Sequence, residues 1–491
     1  MNQAAERSAG ESPSLKDVRE RGELEVSIDD FGFTGEGYVR LEDGWLSVPG
    51  ALPGERVKVR VQPGQREGAR RLYADVVEVL EPSAERRDPL CERAAICRGC
   101  QLRHISVDGE LRFKARGIAE VVEKFAGLSR AEQPEVEILT PQPTARGDAF
   151  RYRTSLSYRR VGNRVELGLY SPASEGLISM SNCPALTVQT QRVVGVIERS
   201  FEGQSTLPWD GEMAREVAAQ VDGFEVAPGV ELIRLAVPNH GVGLVEVRLT
   251  EARDEAQFEG FCTSAPLASW LGRLAEALPT QVGLAVGSGA YRRQLKEPNR
   301  VRIPLGRLQM EVGYDDWIHA TLAPAEVLYE AVEQWLEPGR GERFLDVGCG
   351  IGSIALLMAP RVGEAVGLDQ NQASIESAEI NAVGHGIANA HFVAGGWETG
   401  LRRLAAAGER FTLATINPMR EPLGRRALAY LTMLGVERLV YLGPSPAAAA
   451  RDLGALREMG WEIDRLAAAN LHPATYHSML VARVRRGGGE R

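Results

Sequence analysis

The chain has 491 residues, 44% of them hydrophobic, and a formal net charge of -9. That length suits roughly three ordinary domains with buried cores, and the acidic balance excludes nucleic-acid binding by bulk charge while leaving room for a local basic stripe. No apolar run of about 18 residues occurs, so no membrane-spanning helix is expected, and six cysteines are too few for a disulfide framework.

Residues 1–20 lack the apolar centre of a secretory signal and read as a disordered, solvated tail, which points to a soluble, cytoplasmic protein. Residues 21–82 read as a small all-β unit. GELEVSIDD, GYVRLEDG, WLSVPGA, ERVKVRV and YADVVEVL alternate or are β-branched, with Gly, Pro and Asp turns between them. Five such strands suit a small barrel of the oligonucleotide-binding sort. In ERVKVRV the cations Arg56, Lys58 and Arg60 alternate with valines, placing the charges on one face. That face is either a solubilising surface or a phosphate-contacting stripe, continued by Arg66, Arg70 and Arg71.

Residues 83–310 read as an α+β region that opens on clustered cysteines. CERAAICRGC sets Cys91, Cys97 and Cys100 at C-x5-C-x2-C, with Cys183-Pro184 far downstream. Three thiols in a charged loop are not core packing. Zinc favours two short-spaced pairs, whereas an iron–sulfur cluster accepts three near thiolates and one distant Cys, often followed by Pro. Cys262 and Cys349 read as small buried fillers.

Residues 311–485 repeat strand-then-helix, the mark of a parallel sheet, and 486–491 read as a frayed tail. RFLDVGCGIGSIALLMAP is a buried strand, a loop with Gly348, Gly350 and Gly352, and a helix. EAVGLD follows and ends in Asp369, placed to accept the hydroxyls of an adenosine ribose. Gly-x-Gly-x-Gly departs from the dinucleotide spacing and favours S-adenosylmethionine over a nicotinamide. LVYLGPSPAAAARDLGAL then gives another strand, turn and helix, yet its turn, Gly443-Pro444-Ser445-Pro446, carries no thiol, carboxylate or imidazole.

Together these segments resemble the RNA uracil-5 methyltransferases, which act on tRNA or ribosomal RNA, over nearly the whole chain after residue 20. GYVRLEDGWLSVPGALPGERVKVRV is similar to their N-terminal TRAM RNA-binding domain. DPLCERAAICRGCQLRH and NCP resemble their four cluster ligands, which implies a 4Fe–4S cluster on Cys91, Cys97, Cys100 and Cys183. DWIHATLAPAEVLYEAVEQWL, DVGCGIGSIAL and LHPATYHSMLVARV look like the methyltransferase domain, a Rossmann-like α/β fold.

The resemblance also implies a covalent mechanism, because uridine carbon-5 is too poor a nucleophile to take a methyl group unaided. A thiolate adds to carbon-6, the enolate attacks the methyl group, and a carboxylate removes the carbon-5 proton. The thiolate position is Pro444 here and the base position lies near Met479, so no catalytic residue is expected. The family's glutamine falls at His319, which either replaces its hydrogen bond or is a surface histidine. Its following asparagine falls at Thr321, its loop aromatic at Gly348, and its Asp-Pro-Pro-Arg turn at Asn417-Pro418-Met419-Arg420. Gly348, Gly350, Gly352, Asp369, His319 and Asn417 are the expected cofactor contacts, in a pocket that has lost several partners. Two functions follow: an RNA-binding member degenerate for carbon-5 methylation, or an active RNA methyltransferase with an exocyclic amine or ribose hydroxyl as target. An oxidoreductase is not favoured, since no flavin or nicotinamide signature accompanies the cysteines.

Overall fold

The computed structural model describes residues 13–32, 34–63, 69–89, 91–97, 99–141, 149–161, 164–170, 176–202, 230–239 and 242–487. Arg66 and residues 1–12 of the expected tail lie outside them. The chain divides into two compact units, Met1–Gly117 with His472–His477, and Ile118–Leu471 with Ser478–Arg491.

The first unit is built on a six-stranded sheet in the order Glu23–Ser27, Arg56–Val61, Arg71–Glu81, Trp45–Val48, Gly37–Arg40, Asp30–Phe31. Period-2 alternation buries Val57, Val59, Leu72 and Ala74 beneath it, with Leu46 and Val48. The expected tail is corrected at its end: Leu15–Arg21 is a helix. Ser14 accepts from the Asp17 N–H while Asp17 accepts from the Ser14 N–H, a reciprocal cap that satisfies two helix-end donors. Val18 is fully buried against the sheet. Beyond the sheet, the stretch Val107–Gly117 opens a longer helix, Val107–Ala126. Its Glu110 and Lys114 form a buried ion pair at 2.6 Å. The pair is completed by His472–His477, through the Ala474 N–H to Glu110 and Lys114 to the His472 carbonyl.

The second unit holds two large sheets. Seven strands run Leu177–Ser179, Arg164–Tyr170, Arg153–Val161, Val230–Ala236, Gly243–Leu249, Val282–Ser288, Tyr291–Lys296. Helices Val188–Ser200, Glu255–Thr263 and Ala265–Ala277 pack on this sheet through Val194, Ile197, Phe258 and Trp270. Eight strands form the other sheet: Ala390–Ala394, Glu364–Asp369, Arg343–Val347, Leu413–Ile416, Arg438–Gly443, Met479–Arg486, Trp461–Ala469, Val136–Leu139. The first five are parallel, and their interiors are mostly apolar, as burial on both faces favours. Two sequence boundaries shift here. Val136–Leu139, expected in the central region, adds to this sheet beside Leu466–Ala469. Arg486, expected in the tail, pairs with Trp461. No helix among the described residues is long and apolar enough to cross a membrane.

Candidate functional site

The carboxyl ends of three neighbouring parallel strands converge at the glycine loop. Val347 ends one strand and the loop leaves it through Gly348, whose φ of 83° lies in the left-handed region. A side chain there would overlap the carbonyl oxygen of Asn417, so the position needs glycine both for its backbone and for the close approach. The Asn417 N–H donates to the Val347 carbonyl at 2.8 Å, which fixes that approach. From the next strand the Leu368 carbonyl accepts from the Gly348 N–H at 2.8 Å and the Cys349 N–H at 3.2 Å. Asp369 then accepts from the Gly350 N–H at 2.9 Å and from the Asn371 N–H at 2.8 Å. Each carboxylate oxygen keeps a lone pair for a further donor. Gly352, φ 82°, opens the helix Ser353–Met358, and a Cβ there would meet Phe392 at 2.9 Å.

Beneath the loop lies Asp346, which the sequence reading passed over. It is fully buried, accepts from the Thr415 hydroxyl at 2.6 Å and from the Ala355 N–H at 3.1 Å, and is pushed up to about 7 by burial. Thr415 is its partner in the parallel register, and that tertiary pairing is the signal the linear sequence hides.

The sixth expected cofactor residue, His319, is not on the surface. It is 4% exposed, and burial lowers its pKa to about 4, so the ring is neutral at pH 7. Among the described residues its Nε2 has no hydrogen-bond partner. The ring meets Trp317 edge-on at 4.7 Å and tilts toward Tyr329 at 6.0 Å. Tyr329 bonds Ser353 at the start of the loop's helix, and the Trp317 carbonyl lies 3.5 Å from where a Gly350 Cβ would stand. Trp317 itself is 52% exposed. Thr321 is buried, its hydroxyl donating to the Leu471 carbonyl at 2.7 Å. A cleft of about 190 Å³ lies nearby, at the first turns of Gln372–Gly384. Two of its cations are paired with its acids, Arg292 with Asp315 and Arg300 with Asp316.

The turn Gly443-Pro444-Ser445-Pro446, where the resemblance sets the nucleophile position, follows the strand Arg438–Gly443. Pro444 and Ser445 are half-buried, and Ser445 precedes the helix Pro446–Glu458 without making a side-chain cap. Behind the turn, Asp452 accepts from the Tyr441 hydroxyl at 2.6 Å and from the N–H groups of Leu423 and Gly424. That acid fixes the loop after Asn417. Met479, near which the resemblance sets the base position, is 3% exposed within an apolar cluster that includes Leu471 and Val481. Burial disfavours the thiolate at both remaining thiols. Cys349 is raised well above its usual range by burial, and Cys262 is pushed up to about 11 for the same reason.

The other expected sites lie elsewhere. Cys91, Cys97 and Cys100 are unpaired thiols of the first unit. Cys97 is raised by burial and by the neighbouring Cys100 and Cys91. The donor chemistry suits a thiophilic group, but among the described residues no three ligating side chains stand close enough to hold a metal ion. Cys183 belongs to the second unit, its N–H donating to the Met180 carbonyl at 3.1 Å. Arg56, Lys58 and Arg60 do alternate outward, but each is matched by acids: Arg56 by Glu25 and Glu81, Lys58 and Arg60 by Glu23.

The TRAM domain matches residues 17–77, and a methyltransferase domain matches residues 338–439. The chain is 27% identical to the 23S rRNA (uracil(1939)-C(5))-methyltransferase RlmD of Pseudomonas entomophila, over 92% of this chain and 91% of that one. It is 26% identical to an uncharacterized RNA methyltransferase of Thermosynechococcus vestitus, over 94% and 97% respectively. The crystal structure of Pyrococcus abyssi tRNA (uracil-54, C5)-methyltransferase in complex with S-adenosyl-L-homocysteine shares the fold, at TM-score 0.67 and 18% identity, covering 94% of this chain and all of that one. A TRAM domain thus stands ahead of a methyltransferase domain, in a chain homologous almost end to end to 23S rRNA uracil-C5 methyltransferases.

Proposed function

We propose that this chain is an RNA-binding member of the family that holds S-adenosylmethionine at the glycine loop and does not methylate uridine carbon-5. One observation carries the reading: where the family needs a thiolate and a carboxylate, this chain has Pro444 and a Met479 enclosed by apolar side chains. Without addition at carbon-6 the ring has no enolate to attack a methyl group, and without a carboxylate the carbon-5 proton stays. Gly348, Gly350 and Gly352 let the backbone approach the cofactor, and Asp369 takes its ribose hydroxyls. The cofactor supplies an electrophilic methyl group; these residues orient it.

The test is incubation with total RNA and a methyl-labelled donor. No label is expected in 5-methyluridine, and label there overturns the reading. A second reading, methyl transfer to an exocyclic amine, is favoured by the neutral, unpartnered Nε2 of His319 beside the loop. Label in an amine-methylated nucleoside would select it.

Cys91, Cys97 and Cys100 are proposed as thiolate ligands of an iron–sulfur cluster on their C-x5-C-x2-C spacing. Anaerobically purified protein is expected to be brown and to carry iron and sulfide, and Cys97→Ser to lose both. A colourless, iron-free parent refutes the cluster. The same measurement on Cys183→Ser tests the fourth donor named by the resemblance.

A further inference from the structure

The outer face of the N-terminal sheet divides into two chemically different halves. On one half, Arg56, Lys58 and Arg60 stand opposite Glu81, Glu78 and Asp75 on one neighbouring strand, while Lys58 and Arg60 face Glu25 and Glu23 on the other. Three cations among five acids leave no attraction for a polyanion there.

The other half carries rings. Register puts Arg40 opposite Trp45, Trp45 opposite Arg71, and Ser47 opposite both Tyr38 and Tyr73, so all these side chains share one face. Trp45 is 40% exposed and Tyr73 39%. The Arg40 guanidinium lies over the Trp45 ring at 5.3 Å, and that of Arg71 over Tyr73 at 5.2 Å. Tyr38 meets Trp45 edge-on at 5.3 Å and holds its plane. Arg71 is held by Glu36 and by the Ser47 hydroxyl. Strand spacing and rise set Trp45 and Tyr73 roughly 8 Å apart, with room for one base on each ring.

Exposed rings overlaid by guanidinium planes match the faces of unpaired bases, which stack on aromatic and arginine planes alike. We infer that Tyr38, Arg40, Trp45, Arg71 and Tyr73 form a stacking platform for single-stranded RNA, and that the Arg56–Lys58–Arg60 stripe is not the RNA contact. The platform deepens the proposed function and rests on its RNA-binding part. Because affinity here comes from base faces more than phosphates, its salt dependence is shallow.

The experiment is fluorescence anisotropy of the full chain with a labelled oligouridylate of about twelve nucleotides. Trp45→Ala and Tyr73→Ala are each expected to weaken binding about tenfold. Trp45→Phe and Lys58→Ala are expected to bind like the parent. Where an alanine variant shifts the thermal transition, a second measurement decides: RNA should quench tryptophan emission in the parent, and Trp45→Phe should remove that quenching. Folded Ala variants that bind like the parent, or a loss at Lys58→Ala equal to that at Trp45→Ala, would overturn the platform alone. A parent that binds no RNA overturns the proposed function with it.

Discussion

His319 and Met479 show what a single position contributes once its surroundings are known. An imidazole takes up a proton near pH 6.5 in the unfolded chain but only near 4 at this site. Between those values the unfolded state binds more protons, so the stability from neutral His319 is full above 6.5 and drains as pH falls toward 4, by roughly 3 kcal/mol. Asp346, pushed up to about 7, works the other way, its share declining as pH rises from about 4 through 7. His319→Gln is therefore expected to flatten the acid limb relative to the parent, read as denaturant midpoints at pH 7 and at about pH 4.5. An unchanged difference between the two proteins would refute a buried neutral ring. At Met479, where the resemblance sets the base position, the structure shows a side chain in the apolar core, which the linear sequence did not reveal. Met479→Glu is expected to destabilise by about 3 kcal/mol or more, whereas Met479→Leu costs under about 1.5, measured by denaturant unfolding. Restoring the base by substitution alone would thus place a carboxyl group among apolar side chains.

At the scale of elements, the glycine loop joins strand ends through backbone groups, and its tolerance is set by φ and by neighbouring carbonyls. Gly348→Ala forces a Cβ onto Asn417 in a left-handed conformation. A loss of about 3 kcal/mol is expected in denaturant unfolding. The loop and its acid were legible because they are local: strand, three glycines, helix, strand and Asp369 follow in order along the chain. The Asp346–Thr415 bond was not, since only the parallel register brings the two together. The same reason hid the sheet membership of Val136–Leu139, which pairs with a strand more than three hundred residues away. Leu15–Arg21 was missed differently, because Ser14 and Asp17 spell a cap that a tail-like composition obscured. The pairing of Arg56, Lys58 and Arg60 with glutamates depends on which strands lie alongside, and alternation alone cannot name neighbours.

For the molecule as a whole, the first unit is not one continuous stretch of chain. His472–His477 lie between the hairpin strands Trp461–Ala469 and Met479–Arg486, yet belong with Met1–Gly117. They bring the Ala474 N–H to Glu110 and the His472 carbonyl to Lys114, and Tyr476 packs with Leu102 and Ile105. Removing partners from a buried pair costs more than replacing the pair with apolar groups. Exchanging His472–His477 for an equally long Gly/Ser stretch should speed hydrogen exchange in peptides covering Leu102–Gly117. Protection unchanged there would show that the segment is dispensable. The bond from Ala474 to Glu110 spans 364 residues. At about 5–20 residues per second, roughly 20 to 70 seconds of translation pass before Lys114 meets its carbonyl. A nascent chain therefore emerges from the ribosome with that lysine and glutamate unsheltered, and stop codons placed anywhere before position 472 would release proteins whose leading portion is never finished.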